Sequence, residues 1–164
     1  MIKVLVSACL MGEPVRYDGS AVKIFDRRLL EYWHAQERVV PFCPEVAGGL
    51  SIPRPCSEIL DGDGKKVLRG DARVINVHGE DVTESFLKGA QKAMELARSM
   101  KIHMAVLKDG SPSCGSAYIY DGRFAGVKKP GKGVTAALFE ENDIRVFSEG
   151  EIPKASEYLK TLEI

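Results

Sequence analysis

The sequence has no excess of charge of either sign, since Lys plus Arg and Asp plus Glu each number 23. Without a net positive field there is no sequence-independent attraction for polyanions, so nucleic acid is not an expected partner. Low-complexity tracts are also missing, and 45% hydrophobic with 28% charged residues is the composition of an ordered globular protein. No apolar run approaches the roughly 20 residues of a membrane span, and Met1 to Ser7 is too short an apolar stretch for a signal peptide. Neither a membrane nor export is expected, which places the protein in the cytoplasm. The four cysteines lack the C-x-x-C pairs of zinc ribbons, so a structural zinc site has little local support. In a reducing compartment disulfides are disfavoured as well, which leaves thiols for metal binding or catalysis.

What the chain does contain is an alternation of strand and helix patterns. Ile2 to Val6 is a continuous apolar run of strand length, the pattern of a strand buried on both faces of a parallel sheet. Ile24, Phe25, Leu29 and Trp33 follow at helix-like spacing, and Arg38 to Phe42 reads as a second strand. Between Pro44 and Arg73 the chain is rich in Gly, Pro and Asp. Asp61-Gly62-Asp63-Gly64 is a turn signal for a hairpin carrying Val67-Leu68 and Val74-Ile75. Asp81 with Glu84 predicts a capping box, opening a long helix whose buried stripe is Phe86, Ala90, Ala93, Met94, Ala97 and Met100. Met104 to Leu107 predicts a third strand, Val134 to Glu141 a helix, Ile144 to Phe147 a fourth strand, and Pro153 to Leu162 a final helix opened by proline. The expected fold is α/β, a three-layer Rossmann-like sandwich with a mostly parallel sheet. Residues 1–164 are expected to form a single domain with a small hairpin or loop insertion at about 44–77.

Three of the predicted strands run directly into loops that carry a cysteine: Cys9, Cys43 and Cys114. In such sheets ligands bind beyond the carboxyl ends of the strands, so residues far apart in sequence are expected to converge there. A lone cysteine is more often a small buried hydrophobe. Three at equivalent strand ends, flanked by proline, glycine and serine, point instead to a site. Three thiolates would leave one iron of a four-iron cluster without a protein ligand, the open position that substrate activation requires. Cys56, in Pro53-Arg54-Pro55-Cys56, follows no strand end and is read as uninvolved rather than as a fourth ligand.

The blocks Ser7-Ala8-Cys9-Leu10, Arg16-Tyr17-Asp18-Gly19, Cys43-Pro44-Glu45 with Gly48-Gly49-Leu50 and Pro53-Arg54, and Ser111-Pro112-Ser113-Cys114-Gly115 together resemble the thiouracil desulfidase family, in order and over essentially the whole chain. The resemblance implies an oxygen-sensitive [4Fe-4S] cluster on Cys9, Cys43 and Cys114, open to loss on aerobic purification, and sulfide release from a thiolated uracil derivative. It assigns the acid/base role to Glu45 and the active-site serine to Ser111, with Ser113 as the second choice and a substrate contact. Cys56 departs from the family pattern. The chain ends without the additional C-terminal domain of relatives acting on transfer RNA, so a thiopyrimidine base, nucleoside or nucleotide is the expected small-molecule partner. Homo-oligomerisation is left open.

Arg16 and Arg54 lie in cluster-flanking loops, and their guanidinium forks suit a phosphate or a pyrimidine carbonyl. Gly126 to Lys132 matches G-x-x-x-x-G-K, but Gly133 stands where a P-loop needs Ser or Thr. Nucleotide hydrolysis is thereby disfavoured, while free amides before the next helix remain candidates for holding a substrate phosphate. His34, His78 and His103 have no spaced partners and receive no role. The rival reading is a non-catalytic iron-sulfur or zinc sensor built on the same cysteines.

Overall fold

The computed structural model describes residues 1–22 and 27–164. From the N-terminus its elements are β1 (Val4–Ser7), α1 (Arg28–Ala35), β2 (Val39–Phe42), α2 (Pro44–Ala47), β3 (Ser57–Leu60), α3 (Gly64–Arg69), β4 (Arg73–Asn76) and α4 (Thr83–Ser99). They continue with β5 (Met104–Leu107), β6 (Tyr118–Tyr120), β7 (Lys128–Pro130), α5 (Val134–Glu141), β8 (Arg145–Ser148) and α6 (Ile152–Leu162), and 3-10 turns follow β1 and β8 at Ala8–Met11 and Glu149–Glu151.

The central sheet is parallel throughout, in the order β2-β1-β5-β8. Alternation along each strand explains its layers. Val4 and Val6 of β1 and Met104 and Val106 of β5 pack with Leu30 and Trp33 of α1 and with Ala155 and Leu159 of α6. Leu5, Ala105 and Leu107 point the other way, onto Ala93, Met94 and Ala97 of α4 and Phe139 of α5. With helices on both faces, β1 has no solvent side, so Val4, Leu5 and Val6 are fully buried. Each contributes about 1.5–3 kcal/mol of transfer free energy. The expected three-layer α/β sandwich is what the chain forms. Ile24 and Phe25 of the first predicted helix lie outside the described residues.

The segment between β2 and α4 departs from expectation. β3 pairs with β4 in antiparallel register, Ser57 opposite Asn76, but Val67 and Leu68 belong to α3 rather than to a strand. Asp63 caps this helix by accepting the Lys66 N–H at 3.0 Å, and Gly70 ends it at φ 82°, the left-handed stop that glycine supplies. Val67 is buried with Phe86, Ala90 and Val134, so the segment joins the core. The capping box also fails. Asp81 accepts the Thr83 N–H at 2.9 Å while its other oxygen binds Arg73 at 2.7 Å, and the N-cap position is Val82. Met100 lies past the end of α4 and is 37% exposed. A second hairpin, β6 with β7, pairs Tyr118 with Pro130. Its signal was Tyr118-Ile119-Tyr120 running into Asp121-Gly122.

Candidate active site

In a sheet of order β2-β1-β5-β8 the chain leaves β1 toward β2 and leaves β5 toward β8, which makes the β1/β5 boundary a topological switch point where loops diverge and a crevice opens. Cys9 lies in the 3-10 turn after β1. Cys43 is the N-cap residue of α2, directly after β2, and Cys114 sits in the loop after β5. All three line one cavity of about 480 Å³, together with Arg16, Glu45, Arg54, Cys56, Glu58, Lys108, Ser111, Tyr118 and Phe124.

The Cys114 loop is shaped from within. Asp109, itself buried, gathers the N–H groups of Gly110, Ser116, Ala117 and Tyr118 on one carboxylate oxygen at 3.1–3.2 Å. The Ser111 hydroxyl oxygen accepts the N–H of Ser113 at 3.0 Å and of Cys114 at 3.1 Å. The first turn of α5 clamps the loop from outside. Gly133 donates to the Gly115 carbonyl and Val134 to that of Pro112, both at 2.8 Å, while Thr135 and Ala136 donate to Ser113 at 2.8 and 3.2 Å. A Cβ on Gly133 would collide with the Ser113 carbonyl, so only glycine allows this approach. The amides expected to be free for a phosphate are therefore consumed, and Lys132 pairs with Glu140 at 2.7 Å. The amides that open α5 thus brace the Cys114 loop rather than an anion.

Glu45, in the first turn of α2, is held from two sides. Its Oε1 accepts from Arg54 Nε at 3.1 Å, and its Oε2 accepts from the Ser111 hydroxyl at 3.4 Å. Arg54 is itself buried and further donates to the carbonyls of Ser51 at 3.1 Å and Val15 at 3.0 Å. Every nitrogen of its guanidinium has a protein acceptor, so Arg54 holds Glu45 in place rather than offering a free fork. Arg16 borders the cavity near Cys9, with its guanidinium 5.8 Å from the centre of the Tyr17 ring. Ser113 lies elsewhere. It is buried and shares a hydrogen bond with Thr135 at 2.8 Å and is not among the residues lining the cavity, so its proposed substrate contact is corrected to a structural one.

Burial sets the acidity of the thiols. It pushes Cys9 up from an ordinary 9.0 to about 11, the charge of Cys43 adds to this, and Arg16 and Lys108 oppose it. Cys43 is also raised, chiefly by burial, against amide hydrogen bonds from Val46 and Glu45. Cys114 is raised most, first by burial and then by the charges of Cys43 and Glu45, while a hydrogen bond from Ser7 favours its thiolate. The Ser7 oxygen in turn accepts the Lys108 N–H at 3.0 Å, joining the ends of β1 and β5. Cys43 raises both Cys9 and Cys114, so a cationic group between the thiols would favour their ionising together. Three thiols around one cavity are a soft donor set, the kind that takes a sulfur-seeking metal group.

The profile of the 2-thiouracil desulfurase family matches residues 4–151. The chain belongs to this family. It is similar to the uncharacterized protein YbbK of Bacillus subtilis (strain 168), with 44% identity over 91% of this chain and 97% of that one. It is also similar to a solved structure of the [4Fe-4S]-dependent thiouracil desulfidase TudS, at a TM-score of 0.88 and 44% identity over 98% of this chain and 99% of that one. Cys56, read as uninvolved rather than as a fourth ligand, lines the same cavity as the other thiols. Asp109, Ser7 and Glu58 were not anticipated. Only the Asp109-Gly110 turn signal could have pointed to the first of them.

Proposed function

We propose that the protein is a [4Fe-4S]-dependent desulfidase that converts thiolated uracil derivatives, as base, nucleoside or nucleotide, to the oxo form with release of sulfide. The observation that carries this reading is the placing of three thiols, two of them buried, at the carboxyl ends of three adjacent parallel strands, beside a fixed carboxylate and hydroxyl in one cavity. Cys9, Cys43 and Cys114 would hold the cluster. When bound, it supplies a sulfur-seeking Lewis acid with one position free of protein ligands.

The chain's own groups handle water and protons. Replacement of C=S by C=O consumes one water and yields hydrogen sulfide without electron exchange. Glu45 takes a proton from the attacking water and returns one to the pyrimidine ring. Ser111 already accepts two amide hydrogens on its oxygen and gives its own hydrogen to Glu45, so it orients the base rather than acting as one. Arg54 fixes the far oxygen of the same carboxylate, leaving the Oε2 side to work. Arg16, the cavity arginine nearest Cys9, is assigned to a pyrimidine carbonyl or substrate phosphate. Residues 1–164 act as one desulfidase-like domain. A cytoplasmic setting suits the four cysteines, all of which are free thiols. Among the described residues no helix is long and apolar enough to cross a membrane.

The test is anaerobic reconstitution with iron and sulfide, followed by measurement of sulfide released from 2-thiouracil, 4-thiouracil, 4-thiouridine and its monophosphate. Cluster-dependent release supports the reading. A fully loaded cluster with no release from any of them overturns it in favour of a sensor.

A further inference from the structure

The cavity has an aromatic wall that the proposed chemistry does not use. Tyr17, Phe42, Tyr118, Tyr120 and Phe124 all line it, and Phe42, at the end of β2, packs against the core under α4 and α5. Three of these rings are already engaged: Tyr17 lies under Arg16, and Tyr118 meets Tyr120 edge to face at 6.1 Å while Lys128 sits 4.4 Å from its centre. Among the described residues Phe124 has no ring or cation partner.

Phe124 is also held in an unusual way. Its φ is 55°, the left-handed region that bulky side chains avoid and that persists only where the surroundings impose it. The restraint comes from a carboxylate on the adjoining strand. Glu58 Oε1, on β3, accepts the N–H of Gly122 at 2.9 Å and of Phe124 at 3.2 Å. The turn is closed on its other side by Asp121 donating to the Val127 carbonyl at 2.9 Å. A half-buried aromatic is thus presented to the cavity by a latch between two hairpins that share no strand.

We infer that Phe124 is the platform on which the planar thiopyrimidine ring packs, and that Glu58 is the positioning residue that holds it there. The inference rests on the proposed function and deepens it. A pyrimidine offers a flat π-face of little charge, which stacking on an aromatic ring recognises regardless of which carbonyl carries sulfur. Phe124 therefore sets affinity for the ring, while Glu45 acts on its substituent.

The experiment uses cluster-loaded wild type, Phe124→Leu, Phe124→Trp, Glu58→Ala and Glu58→Gln. Each is measured for steady-state sulfide release from thiouracil and for calorimetric binding of uracil, the desulfurated product. Phe124→Leu is expected to raise KM and weaken uracil binding by about tenfold or more, with kcat within about threefold. Phe124→Trp restores both. Glu58→Ala weakens binding similarly, and Glu58→Gln, which keeps an acceptor oxygen, restores it. Unchanged KM and uracil affinity in Phe124→Leu, or failure of Trp to rescue them, overturns the platform. If loaded wild type turns over no thiopyrimidine but binds uracil in a Phe124-dependent way, the platform stands and the desulfidase reading falls. If it neither turns over nor binds, both fall.

Discussion

Replacing Arg54 by methionine would remove the charge that faces Glu45 while keeping most of the side-chain volume. The guanidinium is buried, 3.1 Å from Glu45 Oε1, and it also satisfies the carbonyls of Val15 and Ser51. Breaking a buried ion pair from one side leaves an uncompensated charge and costs about 3–5 kcal/mol, whereas an exposed pair costs at most about 1. For a chain of 164 residues each kcal/mol moves the unfolding midpoint by about 2–4 °C, so a fall of about 6–20 °C is expected. The assay is thermal unfolding of the cluster-free protein by circular dichroism, kept reduced and anaerobic. The double variant Glu45→Gln with Arg54→Met removes the orphaned charge and should regain part of that loss, with a coupling of about 1.5–3 kcal/mol. Under the proposed function, desulfidation is expected to be absent from the double variant, which lacks the Glu45 carboxylate. A loss below about 1 kcal/mol in Arg54→Met, or strictly additive effects, would refute the view that Arg54 exists to hold Glu45.

The two serines of the Cys114 loop should separate. Ser113→Ala leaves the buried Thr135 hydroxyl without its partner, costing about 1–3 kcal/mol in denaturant unfolding with little change in KM. Ser111→Ala keeps the iron content but lowers kcat by roughly 10² or more, since Glu45 loses its donor. Cys9→Ser, Cys43→Ser and Cys114→Ser should each abolish cluster absorbance and sulfide release, while Cys56→Ser retains iron and a substantial part of the activity; an inactive Cys56→Ser would overturn the ligand assignment. Stability of the cluster-free protein should fall in alkali. The folded chain keeps the Cys9 proton up to about 11 while the unfolded chain loses it near 9.0, so the unfolded state binds fewer protons in that interval and is favoured as pH rises through it. Burial displaces Cys43 and Cys114 in the same direction. Melting at neutral pH and at about pH 10 measures the effect, and no loss of stability at the higher pH would contradict it.

Much of the fold was legible because its signals are local. Val4 to Val6, Val39 to Phe42 and Met104 to Leu107 are apolar over strand length and end in loop chemistry, so strand and cysteine placement read off together, and burial with them in β1 and β5. The α3 helix was missed because the Asp-Gly repeat around residue 62 is equally a hairpin turn and a helix N-cap. Only the packing of Val67 beside Val134 and Phe86 selects the helix.

The sequence by itself determined that three thiols would meet at one sheet edge, because a parallel sheet sends all its carboxyl ends the same way. It also determined that Glu45 would lie there, two residues beyond one of those thiols. Only the tertiary structure decided between Ser111 and Ser113, since inside a tight turn the direction of a hydroxyl depends on which helix clamps the loop; here α5 buries Ser113 against Thr135 and leaves Ser111 facing Glu45. It alone tied Arg54 to Glu45, drew Cys56 into the cavity and latched Phe124 to Glu58 across 66 residues. These are long-range pairings that no local pattern encodes, because they exist only once separate segments have been packed against the same core.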